Sequence, residues 1–110
     1  MRRPATSVDT VGTLFYGAAR TPIRVDDRIL AHLKLVVTSK LRRNEPFLIS
    51  WHDSADMGGG RSSIWLHSAV DLHYKFDGGT PAAIDQELIE QLSIEANAAR
   101  GIQIDEASLR

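Results

Sequence analysis

The sequence predicts an α+β domain: a mainly antiparallel sheet of about five strands with two amphipathic helices, in the order ββαβββα plus an optional final edge strand. Three observations predict it. Short β-prone runs bounded by glycine, proline or aspartate recur along the chain. Two longer segments instead repeat apolar residues at three- and four-residue intervals. With 110 residues, 43% of them hydrophobic, the chain suits one domain with its own core.

Residues 1–10 carry two arginines, a proline and no apolar period, and read as an N-terminal extension. Thr13 to Tyr16 then forms a β-prone run between Gly12 and Gly17, and Pro22 to Val25 a second, the two making a hairpin. Asp26 suits a helix N-cap, because its carboxylate can accept from the free amides of a first turn. The helix it opens is expected over 27–43, with Leu30, Leu33, Val37 and Leu41 as its stripe and Lys40, Arg42 and Arg43 in its last turn, where cations suit the dipole. Ala31 and Leu35 lie off that stripe, which leaves them for another segment or for a dimer contact. Glu45 to His52 follows as a strand with Phe47, Ile49 and Trp51 on one face. Beyond the polar loop 53–60, Ser62 to His67 and Val70 to Phe76 read as a further hairpin. Its register is open: a two-residue turn pairs Trp65 with Leu72, a three-residue turn pairs Ile64 with it. Asp85 is the expected N-cap of a second helix striped by Leu88, Leu92 and Ala96, with Gly101 as its C′ residue. Ile102 to Ile104 supplies the optional strand, and 105–110 a tail; the domain proper is 11–104.

Several function classes are excluded by composition. The chain has no cysteine, hence no disulfide, thiolate zinc site or thiol nucleophile. No apolar run exceeds three residues, against the ~20 of a spanning helix, and a cytoplasmic location without membrane contact is expected. A net charge of −1 argues against a protein held on nucleic acid mainly by phosphate neutralisation.

A set of words resembles a known family. They are Gly12-Thr13-Leu14-Phe15-Tyr16-Gly17, the stretch from Asp26 to Leu33, Lys40 to Glu45, Ser50-Trp51, Gly60-Arg61-Ser62, Ile64-Trp65-Leu66, Lys75-Phe76, Glu90-Gln91-Leu92 and Ala96-Asn97. Together they resemble short actinobacterial proteins of unknown function, often labelled "ATP-dependent DNA ligase", over Val11 to Ile104. The resemblance implies no catalytic residue.

The ligase label has one anchor in this chain, Lys75-Phe76-Asp77-Gly78, which matches the K-x-D-G motif of nucleotidyltransferases. That chemistry needs a lysine nucleophile, further lysines on the phosphates and carboxylates for Mg²⁺. Only 32 residues follow Gly78, with Arg100 and Arg110 their sole cations, so the chain is far too short for a ligase. No cofactor is expected otherwise; ATP and Mg²⁺ belong to that reading alone. In Met57-Gly58-Gly59-Gly60-Arg61-Ser62-Ser63 the glycine amides could converge on a phosphate, with Gly59, Gly60 and a bidentate Arg61 as the contacts, but a hairpin tip explains the glycines better. His52 and His67 fall at opposite strand ends, ~16 Å apart, and share no metal. His32 has no helical partner ligand, and His52-Asp53-Ser54 cannot converge as a triad.

Trp51 and Trp65 are expected in the core. If Trp65 instead faces solvent beside Arg61, His73 and Lys75, the sheet offers an aromatic and basic surface. The expected function is a non-catalytic interaction or regulatory module, with an unknown protein partner or a second copy of itself. The alternative is a nucleic-acid accessory protein using Lys40, Arg42, Arg43, Arg61 and Lys75. ATP binding or adenylyl transfer at Lys75 comes third.

Overall fold

The computed structural model describes residues 10–53, 55 and 58–104. The expected extension and tail, and Ser54, Asp56 and Met57 of the polar loop, lie outside the described residues apart from Thr10. The elements are β1 (Val11–Tyr16), β2 (Thr21–Asp26), α1 (Asp27–Arg42), β3 (Phe47–His52), β4 (Arg61–Leu66), β5 (Leu72–Lys75), α2 (Gln86–Asn97) and β6 (Ile102–Ile104). The class is α+β, with two helices and six strands among the described residues, but the strands form two three-stranded sheets rather than one sheet of about five.

The first sheet has the order β2-β1-β5 and is antiparallel throughout. The second has the order β4-β3-β6, with β3–β4 antiparallel and β3–β6 parallel. The expected hairpin of Trp65 or Ile64 with Leu72 therefore does not form, and its register alternatives both fall. His73 lies opposite Phe15, and Ser63 opposite Ser50. Residues 67–71 turn on a Val70 amide bonded to the His67 carbonyl, and five residues carry the chain across from β4 to the free edge of β1. There Leu72 and Tyr74 join Leu14 and Tyr16 on the inner face. The free edge of β3 is taken by Ile102 and Ile104, both buried. Burying two isoleucines gains several kcal/mol at roughly 1.5–3 kcal/mol each, which explains why a three-residue strand is ordered there.

Each helix covers its own sheet: α1 lies chiefly on β1 and β2, α2 on β3 and β6, and the helices touch each other. The N-caps are those expected. Asp26 accepts from the amides of Arg28 (2.7 Å) and Ile29 (3.2 Å), and Asp85 from those of Glu87 (3.0 Å) and Leu88 (3.4 Å). α1 ends one residue earlier than predicted, at Arg42, and Asn44 turns the chain away with φ 56. α2 ends at Asn97 with Ala98 as C-cap, so Gly101 is not its C′ residue. Gly101 instead has φ 75 and lets the chain pass against the backbone of Leu48.

Leu14, Val25, Leu30, Leu33, Val37, Ile49, Leu66 and Ile102 form the heart of the core. His32 is buried with them and fully bonded: Nδ1 meets the Arg28 carbonyl at 2.6 Å, and Nε2 accepts from the Asp85 amide at 2.9 Å. Since the second bond makes Nε2 an acceptor, Nδ1 carries the proton and donates to the carbonyl. One ring thus ties α1 to the start of α2. Tyr74 is less well placed. Its buried hydroxyl has no hydrogen-bond partner among the described residues, and burial pushes its pKa up to about 12.

Candidate functional site

Sequence reasoning selected ten residues, and the fold scatters them. Gly59, Gly60 and Arg61 stand where β3 turns to β4, closed by an Asp53 amide donating to the Gly60 carbonyl. The Asp53 carboxylate accepts from Trp51 Nε1 (3.1 Å) and Ser62 Oγ (2.8 Å), so it staples the hairpin. Lys75 and Asp77 belong to the other sheet and the turn after it. The amides of Asp77 and Gly78 are both taken by the Asp27 carboxylate, at 3.2 and 2.8 Å. The Asp-Gly pair is thus a turn capped by the first residue of α1.

The expected basic group breaks up as well. Lys40 is 6% exposed, not a surface cation. A helix-end lysine on the seam between α1 and α2 is drawn inward by partners on both sides: its Nζ donates to Asn97 Oδ1 at 2.5 Å and lies 3.3 Å from Glu45 Oε1. Arg43 is exposed but bonded to Glu45 and Ser39, and Arg42 is exposed. Arg43 first, then Lys40, hold the Glu45 carboxyl below its ordinary value of 4.5. A carboxyl whose folded value is depressed stabilises the fold above its unfolded value and loses that contribution as pH falls through the folded one. Acidification below about pH 4.5 is therefore expected to lower the melting temperature of the wild type more steeply than that of Glu45→Gln. Superimposable melting curves across that range would show that the Glu45 pairs add nothing.

Trp65 is 49% exposed and Trp51 half-buried, so the core expectation holds for neither in full. Trp65 shares the outer face of β4 with Arg61, while Tyr16 Oη donates to its carbonyl at 2.6 Å. His73 and Lys75 are on the other sheet and do not join it. His52 and His67 fall at opposite ends of the β3–β4 pair, as their spacing implied. Among the described residues no three histidines or carboxylates gather as metal ligands.

What the fold does bring together was not selected from the sequence. On the open face of the first sheet, Arg24 and Lys75 flank Thr13, and Pro22 and His73 flank Phe15. Arg20, from the turn between β1 and β2, places its guanidinium carbon 4.4 Å from the centre of the Phe15 ring. Its Nη2 is 3.1 Å from His73 Nδ1, and the His73 ring lies 5.4 Å from that of Phe15. Among the described residues Phe15 is not one of the side chains that pack on the core. Arg20 has φ 55, a left-handed backbone that costs a non-glycine residue on the order of 1 kcal/mol. A cleft of about 270 Å³ opens beside this cluster, lined by Phe15, Arg20, Asp71, Leu72 and His73 among others. The signal for it was present: Leu14-Phe15-Tyr16 puts an aromatic on each face of one strand, and one of them has to point outward.

A larger groove of about 910 Å³ runs between α1 and residues 78–84. Ala31, Leu35, Phe76 and Ile84 line it, which accounts for the two apolar residues off the stripe of α1. Asp27 and Lys34 line it too, and Lys34 Nζ lies 5.9 Å from the Phe76 ring centre.

No curated protein and no solved structure matches the chain. Residues 11–107 match DUF7882, a domain of unknown function, and the chain belongs to that family.

Proposed function

We propose that this protein is a non-catalytic binding module that holds an anionic partner on the open face of the β2-β1-β5 sheet. The observation that carries this reading is the arrangement of Arg20, Arg24, Lys75 and His73 around Phe15, an aromatic outside the core. Such a face concentrates positive charge in a chain whose net charge is −1, and local field rather than total charge attracts a ligand. The nearby Asp26 carboxylate is turned to the α1 N-terminus, whose dipole offsets part of its charge. Ligase-type adenylation, the label borne by the short actinobacterial proteins this chain resembles, draws less support. Lys75 stands on the open sheet face opposite Thr13, and the amides after it serve Asp27 instead of a phosphate.

The test is retention on immobilised heparin. The wild type is expected to elute at a higher salt concentration than Arg24→Glu/Lys75→Glu. Elution of both at the same salt would refute the reading. Neither substitution touches the core, so both proteins should melt alike.

A further inference from the structure

We propose that the anionic partner is a single-stranded nucleic acid, one base of which stacks at the Phe15–Arg20–His73 cluster while adjoining phosphates lie over Lys75 and Arg24. This inference rests on the open-face reading above and adds the ligand to it.

The cluster is built from planar groups. Phe15 supplies the base of the stack, and Arg20 lies over it at 4.4 Å. A guanidinium only donates, so Arg20 Nη2–H donates to His73 Nδ1, which leaves the proton of neutral His73 on Nε2. The outward side of the guanidinium and the His73 Nε2–H then face a ligand. Bases stack on arginine planes and aromatic rings alike, and every base has such a face. The cleft of about 270 Å³ lies just below the roughly 300–1,000 Å³ of drug-sized ligand sites, so it suits one ring system rather than a whole cofactor. Asp71 at the cleft repels a phosphate but accepts from a base N–H, whether an exocyclic amine or the N3–H of thymine, which places the base there and the backbone elsewhere. The backbone has somewhere to go: Arg24 and Lys75 stand on strands either side of β1, about 9–10 Å apart across two strand spacings.

An acidic peptide would satisfy the cations yet leave the planar stack without a partner. A duplex would keep its bases paired and out of reach of a flat sheet face. Arg20 adds a separate indication. Its left-handed backbone is one that glycine or asparagine adopts at less cost, and the turn nonetheless carries the side chain that completes the stack.

Fluorescence anisotropy with a labelled oligodeoxythymidylate, the corresponding duplex and poly-glutamate tests the inference. The full chain is expected to bind the single strand more tightly than the other two. Two cations on single-stranded phosphates give a slope of about −1.4 in log affinity against log salt. Phe15→Ala should weaken binding about tenfold while leaving that slope unchanged and the protein folded at the assay temperature. Arg24→Ala should make the slope shallower by about 0.7. Equal or tighter binding of duplex or poly-glutamate would overturn the inference, as would an unaffected Phe15→Ala. In either case heparin retention that still depends on Arg24 and Lys75 would leave the open-face reading intact, and its loss would remove both.

Discussion

Gly101→Ala is expected to destabilise the protein by about 4 kcal/mol, combining backbone strain with overpacking. A Cβ at this position would collide with the Leu48 carbonyl oxygen and lie 2.7 Å from the Leu48 carbonyl carbon and Cβ. Strand backbone cannot yield as a side-chain tip can. The φ of 75 adds the ordinary penalty for alanine in the left-handed region. Relief would require β6 to leave β3, exposing Ile102 and Ile104, which are otherwise buried. Gly17→Ala separates the two contributions. Gly17 has φ 79 but nothing within 4 Å of its would-be Cβ, so strain alone operates there, and a loss of about 1 kcal/mol is expected. Urea unfolding of both variants is the measurement. Similar losses for the two would mean that the Leu48 contact is not what excludes a side chain at 101.

His32→Ala is expected to cost about 3 kcal/mol, from a cavity in a close-packed region and an orphaned Asp85 amide. The ring is fully buried, and its two nitrogens serve groups on separate elements. Removing it untethers Asp85, which is both the N-cap of α2 and the partner of Arg28 at 2.7 Å. That exposed ion pair is worth little by itself, typically 1 kcal/mol at most. The loss should therefore fall on helix docking, with α2 amides exchanging faster than those of α1. His32→Gln keeps an acceptor for the Asp85 amide and should recover about 1 kcal/mol. A thermal melt of His32→Ala within a few degrees of the wild type would contradict this account.

The contrast between what was legible and what was not follows from interaction range. Asp26 and Asp85 were readable as caps because a cap acts on amides two and three residues away. Leu30, Leu33 and Val37 were readable as core because helical spacing puts them on one face. Sheet partnership carried no comparable local mark. The alternation of Leu72 and Tyr74 with His73 and Lys75 fits any half-buried edge, and β1 was the edge that took it. Lys40 was misread for the same reason: Asn97, which binds its ammonium, lies 57 residues away. The candidate face combines both kinds of information. The alternation of Ile23 and Val25 with Arg24 turned Arg24 outward, and Leu14-Phe15-Tyr16 had to turn one aromatic outward, but only the β1–β5 pairing sets His73 and Lys75 beside Phe15 and Thr13.

The two sheets also interleave along the chain. Hairpins β1–β2 and β3–β4 form from neighbouring segments, while each third strand is contributed from further on, β5 to the first sheet and β6 to the second. During synthesis from the N-terminus, the first sheet is complete once Lys75 has emerged. The second then waits, with one edge of β3 bare, until residues 102–104 follow. Bare edges recruit foreign strands. The nascent chain is thus most exposed to misassociation after its first sheet has formed and before the three-residue strand β6 arrives.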